Sequence, residues 1–285
     1  VSTTASVSAA TTPRSSSNVT SRLLIFAGLL ATSAFAEITP LDTSLPDDKE
    51  TTITCELTVA PKVGDVPVLD TAKQCEATKG TYHYKLYIPA DYSRDPQRRY
   101  PCLFIMSASG NAGMWELAPW LKAHRYVVVS LVEAQNGPWA PIVGNFLAAH
   151  DDVVKRVRIQ EGLKVATGVS GGARASSVFV QSRPGFGGLV MQAAGASYNN
   201  TSYNVAGIKR NPALSCVITM GNQDSNKGEV ARMKTALSGQ KLLCLSFEGG
   251  HTAAPVSLFE QAMQWIESNV DAKIRPLPAL KPVVK

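Results

Sequence analysis

Residues 164–173 read KVATGVSGGA, a short apolar strand that runs into Gly168-x-Ser170-x-Gly172 and then into a helix-forming segment. A serine hydroxyl that is to attack a carbonyl must stand clear of the backbone. A sharp strand-to-helix turn achieves this when the positions two residues away carry no side chain. Gly168 and Gly172 meet that condition, so Ser170 is the candidate nucleophile and acyl transfer the candidate chemistry. By itself the pattern also describes an ordinary Gly/Ser turn, and the other chemistry-bearing residues must decide between the two.

The chain has four histidines, His83, His124, His150 and His251. In the order serine, acid, histidine, each residue stands on a loop at the carboxyl end of a successive strand. His251 is the one histidine downstream of Ser170, so under that order it is the base. It follows the apolar run 242–247 and two glycines, a suitable tether for a histidine folded back over a sheet. The acid must then come from Asp224, Glu229 or Glu248. Asp224 follows the apolar strand 216–220 and the turn 221–223, which brings it out at the same edge as Ser170. Glu229 falls in an expected helix over 226–238 and points elsewhere. Glu248 is too close along the chain to His251 to reach its Nδ1. The expected division of labour has His251 moving the proton and Asp224 fixing the imidazole tautomer, while Ser170 carries the acyl group.

A tetrahedral intermediate also needs backbone N–H donors aimed at its oxyanion. Gly171 supplies one. The second is expected from the loop that follows the apolar strand 100–106, where Ala108 or Ser109 is the donor. Trp115 follows this loop and Trp139 follows a later parallel strand. Both are candidates for substrate binding by aromatic stacking, although packing is the commoner role of a lone tryptophan.

The elements that must position these residues alternate. Strands are expected at 51–59, 82–88, 102–106, 126–132, 163–167, 189–193, 216–220 and 241–247, the first two forming an antiparallel edge and the later ones a buried parallel sheet. Helices at 114–122, 143–157, 173–181, 228–237 and 255–269 fill the crossovers. In the last of these, Leu258, Ala262 and Trp265 share one face, read as a core stripe. The interval between Ser170 and Asp224 leaves little room for a large lid. The segment 199–202 is read as an exposed loop.

From about Tyr82 to Val270 the chain resembles the α/β-hydrolases, and among them the secreted esterases grouped with polyhydroxybutyrate depolymerases and feruloyl esterases. The resemblance rests on an ordered set of motifs: YKLYIP ending at Pro89, Tyr100-Pro101, GVSGG ending at Gly172, GNQD ending at Asp224, and GGHT ending at Thr252. It implies an α/β-hydrolase fold, with a mostly parallel central sheet and helices on both faces, and a serine esterase working without a cofactor. One position departs from the group. Its members carry His-Gly directly after the oxyanion strand, whereas this chain has Ser107-Ala108, and alanine there puts the geometry of the hole in question.

Composition fits one enzyme-sized domain: 45% of residues are hydrophobic and 18% charged, a soluble globular balance. Residues 1–36 read as an export signal. Arg22 precedes the apolar run 23–30, and Ala34 and Ala36 occupy the two positions a signal peptidase reads, so cleavage is expected before Glu37. The apolar run is too short for a stable membrane anchor. Val19 is a candidate non-standard start, which would make residues 1–18 spurious upstream translation. The catalytic domain is expected over 37–272, with a Pro-rich basic tail over 273–285, and the protein in the secreted or periplasmic space. Of five cysteines, Cys55 and Cys75 are expected to form a disulfide, and Cys102, Cys216 and Cys244 to be buried free thiols. No Cys/His spacing suggests a metal site. A net charge of +6, part of it in Arg14 and Arg22 of the leader, is too small and scattered for nucleic acid.

These readings favour an esterase whose partner is an ester substrate, polymeric or small: acyl or feruloyl esters of polysaccharide, or a polyester. A peptidase of the prolyl-oligopeptidase type shares the triad order, but nothing in the chain resembles the propeller or other extra domain such enzymes often use to select peptides. A third reading is a catalytically dead hydrolase fold that serves as a binding module. Its one support is Ser107-Ala108, and the intact Ser, Asp and His set opposes it.

Overall fold

The computed structural model describes residues 45–199, 201–271 and 273. The expected leader 1–36, its expected cleavage site and all of the expected tail 273–285 except Lys273 lie outside the described residues. No helix among the described residues is long and apolar enough to cross a membrane.

Eight strands form one sheet: β1 (Glu50–Leu57), β2 (Gly80–Tyr87), β3 (Tyr100–Met106), β4 (Val127–Leu131), β5 (Ile159–Val169), β6 (Phe186–Gln192), β9 (Ser215–Gly221) and β10 (Lys241–Phe247). Their order is β1-β2-β4-β3-β5-β6-β9-β10, and β7 (Tyr198–Asn199) with β8 (Ser202–Tyr203) makes a separate small hairpin. β1 pairs antiparallel with β2 and β2 with β4, while every pairing from β4 to β10 is parallel. Parallel strands need crossovers that put helices on both faces. Helices α3 (Trp139–Arg156) and α4 (Gly171–Ser182) cover one face, α2 (Ala118–Ala123) and α7 (Val256–Ser268) the other.

Strand β3 makes the two-sided burial plain. Phe104 and Met106 belong to the core under α3 and α4, and Leu103 and Ile105 to the core under α2 and α7. That is why its sequence is apolar throughout and does not alternate. In the first core the rings of Phe146 and Phe179 stack at 4.1 Å. In the second, Phe259, Ala262, Met263 and Ile266 of α7 are the buried stripe, and Leu258 and Trp265 lie half-buried at its margin.

The eight strands and five longer helices match the sequence reading within a few residues. Helix α3 starts at Trp139, four residues before expectation, because Pro141 in its first turn needs no intrahelical N–H partner. A 3₁₀ turn (Trp115–Leu117) precedes α2. Three short pieces were not anticipated: α1 (Ala72–Glu76), α5 (Ala206–Lys209) and the hairpin. For α1 a signal existed, since Thr71 and Gln74 form a capping box. Helix α6 (Glu229–Ala236) completes the set.

The cysteines differ from expectation. Cys55 and Cys75 are free thiols, both buried. Cys55 points from β1 beneath the helices and its Sγ donates to the Tyr82 carbonyl at 3.5 Å, while burial pushes its thiol up to about 12. Cys75 packs separately into the same core from α1. Cys102 and Cys216 are buried, but Cys244 is only half-buried because β10 is the edge strand.

Candidate active site

Ser170 sits between the end of β5 and the start of α4 with φ 57° and ψ −115°, a conformation that non-glycine residues adopt at a cost of about 1–3 kcal/mol. The surroundings over-determine it. The Ser170 N–H donates to the Gln192 carbonyl at 2.8 Å, and its carbonyl accepts from Ala173 at 3.0 Å. A Cβ on Gly168 would stand 2.6 Å from the Gly172 carbonyl carbon, and one on either glycine would stand 2.4 Å from the Met106 oxygen. The two glycines thus let β5, α4 and β3 close around the turn.

Ser170, Asp224 and His251 are brought together. His251 Nε2 lies 2.8 Å from Ser170 Oγ, and its Nδ1 lies 3.0 Å from each oxygen of Asp224. A carboxylate only accepts, so Nδ1 carries the proton and Nε2 is left to accept from the serine. Asp224 is buried at 1% exposure and also accepts from the Asn226 N–H at 2.7 Å, whereas the imidazole is 41% exposed. The other two acids are engaged elsewhere. Glu229 pairs with Arg174 at 2.6 Å and accepts from the Gly195 N–H, and Glu248 bonds to Asn222.

Of the expected oxyanion donors, Gly171 opens α4, where first-turn N–H groups have no intrahelical acceptor. Among the described residues nothing accepts from it, nor from the Ala108 N–H. Ser109 differs, since its N–H donates to Ser107 Oγ at 3.2 Å. Ala108 also has an ordinary φ, so its methyl group brings no backbone strain to the loop.

A cavity of about 280 Å³ opens beside Ser170, with walls that include Met106, Leu117, Val169, Ala254 and Val256. Ala108, Ser109 and Trp115 line it as well. Trp139 does not: it opens α3 and packs against the core beneath that helix.

Two residues escaped the sequence reading. Gln192 ends β6 buried, accepts from the Ala254 N–H at 3.1 Å and donates to Thr167 Oγ1 at 3.2 Å, tying the serine turn to the segment that follows His251. A lone polar residue closing an otherwise apolar strand was its signal. Asn136 donates its N–H to the Ala108 carbonyl at 2.8 Å, and its Oδ1 would be 1.7 Å from a Cβ on Gly171. It therefore bridges the two segments that offer free N–H groups, and nothing in its local sequence announces this.

No protein-family model matches the chain, and no curated protein does. Solved structures do. A ferulic acid esterase aligns with a TM-score of 0.54 at 12% identity, over 78% of this chain and 99% of that one. The S-formylglutathione hydrolase FrmB from Staphylococcus aureus gives 0.54 at 12%, over 80% and 99%. The feruloyl esterase module from Clostridium thermocellum, complexed with sinapinate, gives 0.55 at 12%, over 81% and 92%. At such identity the likeness is one of fold, and the fold is that of the α/β-hydrolases.

Proposed function

We propose that this protein is an exported serine ester hydrolase that works through an acyl-enzyme on Ser170, acting on acyl or feruloyl esters of polysaccharide or on polyesters. The observation that carries the reading is the continuous chain of contacts from Asp224 through His251 to Ser170, at the mouth of an apolar cavity. Ser170 Oγ attacks the ester carbonyl as its proton passes to His251 Nε2, and Asp224 stabilises the imidazolium. The N–H groups of Gly171 and Ala108 take the negative charge of the tetrahedral oxygen. As that intermediate collapses, His251 returns the proton to the departing alkoxide. Water then attacks the acyl-enzyme with His251 as base, releasing the acid and restoring Ser170. The basic, apolar and small-residue order of residues 1–36 supports export.

The test is hydrolysis of p-nitrophenyl acetate, p-nitrophenyl butyrate and methyl ferulate by the purified protein beside Ser170→Ala. Turnover should fall by about 10⁶-fold in the variant. Cleavage of aminoacyl amides in preference to esters would favour a peptidase. Ligand retention with no turnover by folded protein would favour a binding module.

A further inference from the structure

Strand β3 delivers Ser107, Ala108 and Ser109 to the nucleophile. Met106 pairs with Gly168 in the parallel register of β3 and β5, and its carbonyl packs against Gly168 and Gly172, the glycines on either side of Ser170. The three residues after Met106 therefore run past the serine turn, and all of them line the cavity beside Ser170. Their backbone is pinned. The Gly110 N–H donates to the Ser107 carbonyl at 3.1 Å, the Asn136 N–H to the Ala108 carbonyl at 2.8 Å, and the Asn111 N–H to the Val132 carbonyl at 2.8 Å. A polar group carried on this segment is held in place before substrate arrives.

The two serine side chains carry more donors than they use between them. Ser107 Oγ accepts from the Ser109 N–H at 3.2 Å and stands 3.0 Å from Ser109 Oγ. The first contact is a local turn that needs only the Ser107 oxygen. The second hydroxyl is not required for it. Two hydroxyls bring two protons, and whichever serine donates across the pair, the other keeps its own. Among the described residues neither hydroxyl has a further partner. One O–H is thus left to donate on a fixed loop, beside a cavity with largely apolar walls. A substrate that fills this cavity displaces solvent and offers that O–H one strong acceptor, the oxygen of its reacting carbonyl.

We propose that the Ser107/Ser109 hydroxyl pair is a third, side-chain donor of the oxyanion hole, acting beside the N–H groups of Gly171 and Ala108. The inference rests on the Ser170 esterase reading and gives a role to the Ser107-Ala108 departure: alanine leaves the backbone donor free, and the serines add an O–H to it. A hydrogen bond to an anionic oxygen is about twice as strong as one to a neutral carbonyl. The pair therefore acts mainly on the transition state, and its contribution belongs in kcat.

The test is p-nitrophenyl butyrate hydrolysis by the full-length protein beside the double variant Ser107→Ala/Ser109→Ala. The variant should lose about tenfold to a hundredfold in kcat, the value of a hydrogen bond to a charged group, with KM within about twofold of wild type. Propyl trifluoromethyl ketone, which Ser170 converts to a tetrahedral oxyanion with no leaving group, should lose affinity by a matching factor. The pH at which kcat/KM reaches half its maximum should stay in place, because the contacts among Asp224, His251 and Ser170 are untouched. A kcat within about twofold of wild type, a fall in kcat without the matching loss of ketone affinity, or a shifted pH midpoint overturns the proposal while leaving the esterase intact. Wild-type turnover that is absent, or that survives Ser170→Ala, overturns the esterase reading and this one with it.

Discussion

Within the candidate site, single atoms set the expected consequences of mutation. Asp224 accepts from His251 Nδ1 with both oxygens. An amide there can offer N–H in place of one acceptor and so favour the wrong imidazole tautomer. Asp224→Asn should lower kcat by about 10⁴-fold with the fold intact, checked by steady-state kinetics beside circular dichroism. Gly171 is constrained differently. A methyl group there would meet Asn136 Oδ1 at 1.7 Å, so Gly171→Ala must push either Asn136 or the peptide that carries the oxyanion N–H. A loss of about 10²–10³-fold in kcat is expected, the value of one such donor. Adding Asn136→Gly should recover most of it, and a double-mutant cycle reads the coupling directly.

Between elements, a charge cluster joins α3 to the end of α4. Asp151 accepts from Arg183 at 2.6 and 2.7 Å and lies 3.0 Å from His150 Nδ1. Burial works against its charge, but the Arg183 and His150 hydrogen bonds prevail and hold its carboxyl well below the usual carboxylate range. A carboxyl depressed on folding stabilises the protein above its unfolded pKa of about 3.9, and that contribution disappears as pH falls through this value toward the folded one. Because the Asp151 side chain is 36% exposed, solvent screening keeps the effect modest. Asp151→Asn should lower Tm by about 2–4 °C at pH 7, roughly 1 kcal/mol in a chain of this size. The gap from wild type should begin to narrow as pH falls below about 3.9 and keep narrowing toward the lower folded value, as followed by thermal unfolding across pH.

Over the whole molecule, legibility followed burial. Strands β3, β6 and β9 were readable because burial on both faces favours near-continuous apolar residues, and glycine and polar turns bound them. The short pieces were not, since α1 and α5 have too few residues to show a period, and the Thr71 capping box is a two-residue signal. Sequence placed Trp115 and Trp139 alike, each after a strand. The structure separates them, because α3 begins at Trp139 and leaves it half-buried against the core, whereas Trp115 lies in a 3₁₀ turn over Gly113. Cys55 and Cys75 likewise lie on segments that looked able to meet, yet each thiol is buried unpaired.

What the sequence determined by itself was identity and order: a serine between two spacing glycines, one later histidine, one acid at a strand end, and alternating elements to carry them. These are local properties, fixed by side-chain type and by period along the chain. Tertiary structure alone decided the contact of residues 81 positions apart, Ser170 and His251, at 2.8 Å. It also decided which N–H groups remain free, how Asn136 meets Gly171, and which tryptophan faces the cavity. Such distances arise only when the sheet brings strand ends and helix starts from separate parts of the chain to one edge, and no local pattern encodes that convergence.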